Sequence, residues 1–174
     1  MAKQKKIDIL IMGRPNVGKS TLLNRLIKRK KTITEDTPGV TRDIISYDMD
    51  YQGHTLTLID SGGVYFEKKK EKSPFQDEIE NKVTQTLQTV TKIWMIVDGK
   101  EGLHPLDQHI AKIIRKHKNI TLVVNKVDQI EKKAIHAQFY QLGLGDPFCV
   151  SATQGQGLHE LLDEMIKDLP KRSY

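Results

Sequence analysis

Hydrophobic positions along the chain fall into two alternating kinds of run. Ile7 to Met12 is a short apolar stretch that stops at Gly13 and predicts a buried strand. Ser20 to Lys30 carries Leu22, Leu23, Leu26 and Ile27 on one helical face, with Arg25, Lys28 and Arg29 opposite. That is the period of a helix that buries one side. Ile45, Tyr47, Met49 and Tyr51 then alternate with Ser46, Asp48 and Asp50, which predicts a half-covered strand. Gln52-Gly53-His54 reads as its turn and Leu56 to Ile59 as the antiparallel return. Ile93 to Val97 and Ile120 to Val124 are continuous apolar runs, the pattern of strands covered on both faces. Between them Leu106, Ile110, Ile113 and Ile114 predict a helix, and Ile135, Phe139 and Leu142 predict another. The last helix has Leu158, Leu161, Leu162, Met165, Ile166 and Leu169 on one face.

The resulting order, β-α-β-β-(α)-β-α-β-α-β-α, predicts an α/β fold. Its sheet should be six-stranded and mostly parallel, with one antiparallel edge strand and helices on both faces. Thr32 to Asp43 and Ser61 to about Pro74 lack any period. No repeat or linker divides the chain, so residues 1–174 read as a single domain. A chain of 174 residues buries roughly 70% of its unfolded surface and needs no staple. Its lone cysteine, Cys149, rules out an internal disulfide and a multi-cysteine zinc site. No apolar run approaches the ~18 residues of a membrane span, and the basic start lacks the apolar core of a secretory signal. The expected location is the cytoplasm.

Charge changes the picture less than its size suggests. There are 28 Lys+Arg against 22 Asp+Glu, a net +6, and the pI is about 9.3. The excess sits in short runs, Lys3 to Lys6, Lys28 to Lys31, Lys68 to Lys72 and Lys171-Arg172. No aromatic residues interleave with them for base stacking, so solvated faces are favoured over a dedicated RNA surface.

The candidate chemistry begins where the first strand meets the first helix. Gly13, Arg14, Pro15, Asn16, Val17, Gly18, Lys19 and Ser20 fit G-x-x-x-x-G-K-[ST], followed by Thr21. Glycines let successive N–H groups curl around a polyphosphate, and the helix N-terminus adds positive potential. Lys19 would reach the β- and γ-phosphates and the Ser20 hydroxyl would bind Mg²⁺. The competing reading is a chance glycine turn, which the strand-loop-helix context disfavours.

Two further motifs follow strands. Asp60-Ser61-Gly62-Gly63 ends the hairpin return, where Asp60 can hold Mg²⁺ through water and Gly63 can offer an N–H to a γ-phosphate. Taken alone it reads first as an ordinary strand-ending Asp-Gly turn. Asn125-Lys126-Val127-Asp128 follows the Ile120 to Val124 run. Asp128 can accept from the N1–H and 2-amino group of guanine, donors that adenine lacks. The Lys126 stem can cover the base, and an N–H at Ser151-Ala152 can meet guanine O6.

Together these motifs resemble the G motifs of small GTPases. Gly13 to Asn24, Thr37-Pro-Gly-Val-Thr-Arg-Asp43, the double glycine of Asp60 to Gly63, and Phe139 to Pro147 leading to Ser151-Ala152 are similar to the first GTPase domain of the Der (EngA) family. The resemblance covers roughly Ile7 to Leu169 and implies a Ras-like P-loop GTPase fold and GTP hydrolysis. It also implies a switch acting in assembly of the large ribosomal subunit through a longer protein, of which this chain is an N-terminal fragment. By the same match, residues 32–43 are switch I and about 61–80 switch II. Thr41 would complete the Mg²⁺ shell with Ser20 and Asp60. Lys19, Thr41, Gly63 and Asn16 would carry catalysis, Asn16 by helping to hold a K⁺ beside the phosphates. Otherwise Asn16 is a plain turn-former. The charged tip from Glu67 to Ser73 would order only around a γ-phosphate.

The chain departs from the family at Ser61, where threonine is usual, and at Thr91-Lys92, where Ala-Asp is common. Val64 stands where many small GTPases place a catalytic glutamine. The expected partners are guanine nucleotide and, through the longer protein, the ribosome, with no membrane, no direct DNA contact, and a monomeric isolated domain. The rival readings are an Era-like or tRNA-modification GTPase domain, and a nucleotide-sensing RNA-binding module with negligible hydrolysis. Trp94 and Cys149 read as core strand residues, the six histidines show no ligand spacing, and Arg42 reads as shaping the switch.

Overall fold

A computed structural model describes residues 6–27, 44–62 and 74–167, the last from residue 81 onward with side chains, and the backbone of Thr32–Ile33. Thr41, Arg42, Gly63, Val64, the 67–73 tip and most of both aperiodic stretches lie outside the described residues.

The strands are β1 (Lys6–Met12), β2 (Thr32–Ile33), β3 (Ile45–Tyr51), β4 (His54–Asp60), β5 (Lys92–Asp98), β6 (Ile120–Asn125) and β7 (Phe148–Cys149). They form one sheet in the order β2-β3-β4-β1-β5-β6-β7. β1 lies between β4 and β5, parallel to both, and β6 and β7 continue the parallel set. β3 is antiparallel to β4, as the hairpin pattern predicts. The two-residue β2 pairs antiparallel outside β3, so β3 is covered by a short strand drawn from what the sequence leaves aperiodic. The hairpin turn is shorter than expected. Gln52 and Gly53 both have positive φ, 47° and 79°, and His54 already pairs with Tyr51. A two-residue turn of this hand matches the strand twist, and glycine takes its second position without strain.

The helices are α1 (Lys19–Ile27), α2 (Pro74–Thr89), α3 (Pro105–Ile114), α4 (Lys132–Phe139), continued by a 3-10 turn at Tyr140–Leu142, and α5 (Leu158–Ile166). Alternate residues of the central strands feed two separate cores. Ile7, Ile9, Ile11, Trp94, Ile96 and Val123 face one core with the apolar sides of α1 and α5. Leu10, Met12, Ile93, Met95, Val97, Leu122 and Val124 face the other with α3 and α4. This is why β5 and β6 read as unbroken apolar runs. Each fully buried side chain of this size is worth about 1.5–3 kcal/mol, so the two cores fix the strand ends rigidly. Trp94 is fully buried, and its indole N–H donates to the Met165 sulfur at 2.9 Å.

The loops after β1, β4, β5, β6 and β7 all leave from the carboxyl ends of parallel strands, where open α/β sheets bind ligands. No described helix is long and apolar enough to cross a membrane.

Candidate functional site

The loop between β1 and α1 is shaped by two left-handed residues. Asn16 has φ 65° and Gly18 φ 93°. Gly13 lies against β5, where a Cβ would sit 2.7 Å from the Ile96 carbonyl oxygen, and a Cβ on Gly18 would overlap the Asn125 side-chain amide. Both glycines are therefore required by close approach, which spacing alone cannot reveal. Val17 anchors the loop in the core, and the first bond of α1 runs from Leu22 N–H to the Gly18 carbonyl at 3.0 Å. Pro15 is half-buried, while Asn16, Ser20 and Thr21 are exposed.

Lys19 is 9% exposed, and its ammonium has no hydrogen-bond partner among the described residues. Burial pushes it below the ordinary lysine range, opposed by the charge of nearby Asp60. A buried ammonium left without acceptors is costly unless a ligand supplies them. Triphosphate oxygens suit this position. Asp60 is half-buried at the end of β4 and accepts from Gly62 N–H at 3.0 Å. The exposed Ser20 hydroxyl and the Asp60 carboxylate are oxygen donors of the kind Mg²⁺ takes together with phosphate. The described residues thus fit both groups.

Several sequence assignments change on the structure. Arg14 does not turn to the site. Its guanidinium is almost fully buried, with Nη2 2.9 Å from Glu101 and Nε 3.5 Å from Asp107. It braces the loop against the segment leading into α3, so only its backbone belongs to the phosphate cradle. Ser61 is buried, and its hydroxyl donates to the Ile11 carbonyl at 2.8 Å, tying β4 to β1. That contact needs only a hydroxyl, which accounts for serine serving where threonine is usual. Ser151 N–H donates to the Gln156 carbonyl and Ala152 N–H to Asn125 Oδ1, each at 3.0 Å. Neither N–H assigned to guanine O6 is free in this conformation.

Asn125 acts as a clamp. It is buried, and besides accepting from Ala152 it donates Nδ2–H to the Val17 carbonyl at 2.9 Å. One side chain thereby joins the phosphate loop to the loop after β7. Lys126, at φ 62°, donates its ammonium to the Asn16 carbonyl at 2.8 Å and to Asp98 Oδ2 at 2.7 Å. Asp128 is exposed in the same loop.

Three acids were missed by the sequence reading. Asp98 ends β5, is fully buried, and accepts from Lys100 N–H at 2.8 Å and Glu101 N–H at 2.9 Å besides Lys126. Burial works to raise its carboxyl, but Lys126 and the two backbone donors outweigh it and hold the group below the ordinary range. Its signal was the one used for Asp60, an acid at the carboxyl end of a central strand. Asp107 forms a capping box with His104: His104 Nδ1 accepts from Leu106 N–H, and Asp107 Oδ2 accepts from His104 N–H. Burial lifts the Asp107 carboxyl, against the His104 N–H and Arg14. Glu101 completes the set. The histidines form no metal cluster among the described residues, and Cys149 is half-buried in β7.

Residues 8–126 match the family model described as a 50S ribosome-binding GTPase. The chain is 44% identical over 162 residues to GTPase Der of Aquifex aeolicus and 42% identical over 164 residues to GTPase Der of Clostridium tetani. These alignments cover 92% and 94% of the chain and 37% of each relative. Among solved structures, Era in complex with MgGDPNP and nucleotides 1506–1542 of 16S ribosomal RNA superposes with a TM-score of 0.75. That match is at 28% identity and covers 98% of this chain and 59% of that one. The chain thus spans little more than a third of the curated relatives it matches.

Proposed function

The chain belongs to the 50S ribosome-binding GTPase family, and from that premise we propose that it binds guanine nucleotide with Mg²⁺ and hydrolyses GTP to GDP and phosphate as a single cytoplasmic GTPase domain. The observation that carries this reading is the buried Lys19 ammonium, without a partner among the described residues, in a loop whose shape is set by Gly13, Asn16 and Gly18. The phosphate site then comprises the 13–20 backbone with Lys19, and the metal oxygens come from Ser20, Asp60 and Thr41. Bound Mg²⁺ would neutralise charge on the phosphates. Asp128 provides base selection, and Gly63 provides an N–H to the γ-phosphate. Switches I and II at 32–43 and about 61–80 report the nucleotide state. The matched family's description as 50S ribosome-binding supports action at the large ribosomal subunit, which we place in its assembly.

Catalysis on this reading depends on Asn16, because the side chain of Val64 can neither donate nor accept. Asn16 is exposed, its backbone lies in the left-handed region, and its carbonyl accepts from Lys126. Its amide oxygen can hold K⁺, which supplies positive charge beside the phosphates where other GTPases use an arginine. Intrinsic hydrolysis should be slow and should rise at least several-fold when KCl replaces NaCl at equal ionic strength. Asn16→Ala should erase that difference and leave GDP binding largely intact. Equal rates in the two salts would reduce Asn16 to a turn residue. The reading as a whole is tested by phosphate release from GTP and by competition between GTP and ATP; equal affinity for the two would overturn it.

A further inference from the structure

We infer that Asp98 is a positioning residue for guanine-nucleotide binding, fixing the Lys126 ammonium on the Asn16 carbonyl so that the base loop and the phosphate loop move as one. The inference rests on the guanine-nucleotide reading above. Its basis is a division of labour within one carboxylate. Asp98 Oδ1 accepts from Lys100 and Glu101 N–H and folds its own loop. Oδ2 is left for Lys126 Nζ, 2.7 Å away, while that same ammonium lies 2.8 Å from the Asn16 carbonyl.

A lysine head on a four-carbon stem samples many rotamers, and holding it in one costs side-chain entropy. A neutral carbonyl alone offsets that cost poorly. A fully buried carboxylate with both oxygens saturated is a stronger and better-oriented acceptor, because charge-assisted bonds are about twice as strong as neutral ones. The link matters at Asn16 because φ 65° is uncommon for a residue with a Cβ. A bond to its carbonyl orients the 16–17 peptide that follows this left-handed residue. Asp98 is fully buried and acts through Lys126.

Asp98→Asn keeps an acceptor for the two backbone donors but turns an NH₂ toward the ammonium. GDP affinity should fall about ten-fold with little change in melting temperature. Lys126→Met should weaken GDP binding on its own, and adding Asp98→Asn to it should change affinity by less than about two-fold, since the partner is already gone. Additive losses, or unchanged affinity in Asp98→Asn, would reduce Asp98 to a loop-folding residue and overturn the inference.

Should Asp98→Asn fail to fold, the unmodified nucleotide-free chain supplies the second measurement, ¹⁵N detection of lysine ammonium groups. A resolved, slowly exchanging Lys126 signal supports the link, and a signal averaged with those of the surface lysines overturns it. A chain that binds no GDP fails the guanine reading instead, and the ammonium signal still reads the link.

Discussion

Replacing Lys19 by methionine should raise the melting temperature of the nucleotide-free protein while cutting GTP and GDP affinity at least about a hundred-fold. The two effects share one cause. Lys19 holds an ammonium in a place where burial disfavours charge and no described group accepts from it. Methionine has a similar length and no charge to bury. Relieving an unpaired buried polar group is worth about 1–3 kcal/mol in mutational data, and 1 kcal/mol moves the midpoint of a domain this size by about 2–4 °C. Bonds from an ammonium to phosphate oxygens are worth about 1.5–3 kcal/mol each, so losing them costs two decades or more of affinity.

The sign of the pH dependence follows. The folded value for Lys19 lies below its ordinary 10.5. Between those two values the unfolded chain holds more protons, so the stability this group contributes rises with pH up to about 10.5. Lys19→Met should flatten that part of the profile. A variant that melts lower than the parent, or that still binds GDP tightly, would contradict this account. Scanning calorimetry and nucleotide titration across pH read both halves.

Asp128→Asn should weaken GTP binding at least ten-fold and move preference toward xanthosine triphosphate. Asp128 is exposed in a loop set by two left-handed residues, Lys126 at φ 62° and Gln129 at φ 63°. Its loop is tied to the segment just after β7 by Val127 N–H on the Val150 carbonyl. The carboxylate can only accept, which suits the two donors of guanine. An amide presents one donor and one acceptor, which suits the 2-oxo group and N1–H of xanthine. Sites built on such pairing reject the mismatched partner strongly. A uniform loss for both nucleotides would place Asp128 in loop folding instead of base choice. Competition binding with the two triphosphates decides it.

These two residues were legible in the sequence because the features that betray them are local. Lys19 follows Gly18 and opens a helix, and Asp128 follows a strand within four residues. The braces were not legible, because each joins distant parts of the chain. The Arg14 guanidinium goes to Glu101, 87 positions on, while its backbone stays in the phosphate loop. The Ala152 N–H goes to Asn125, 27 positions before it. Strand periods gave the order of elements along the chain and the antiparallel hairpin for the same local reason. The two-residue β2 escaped because Thr32–Ile33 is too short to show a period; its strand character comes from backbone pairing to Tyr47 and Asp48.

Trp94 is the only tryptophan in the chain, and its burial gives the molecule a built-in optical reporter. The indole sits in the core shared with α1 and α5, with its N–H on the Met165 sulfur. It lies four residues before Asp98, or about 13 Å of strand at the usual rise. Ligands at the strand ends reach neither the ring nor its N–H. Emission should be blue-shifted and unmoved by GDP, and should shift red only when the sheet separates from α5. Unfolding is thereby read without interference from nucleotide occupancy, and without any label being introduced.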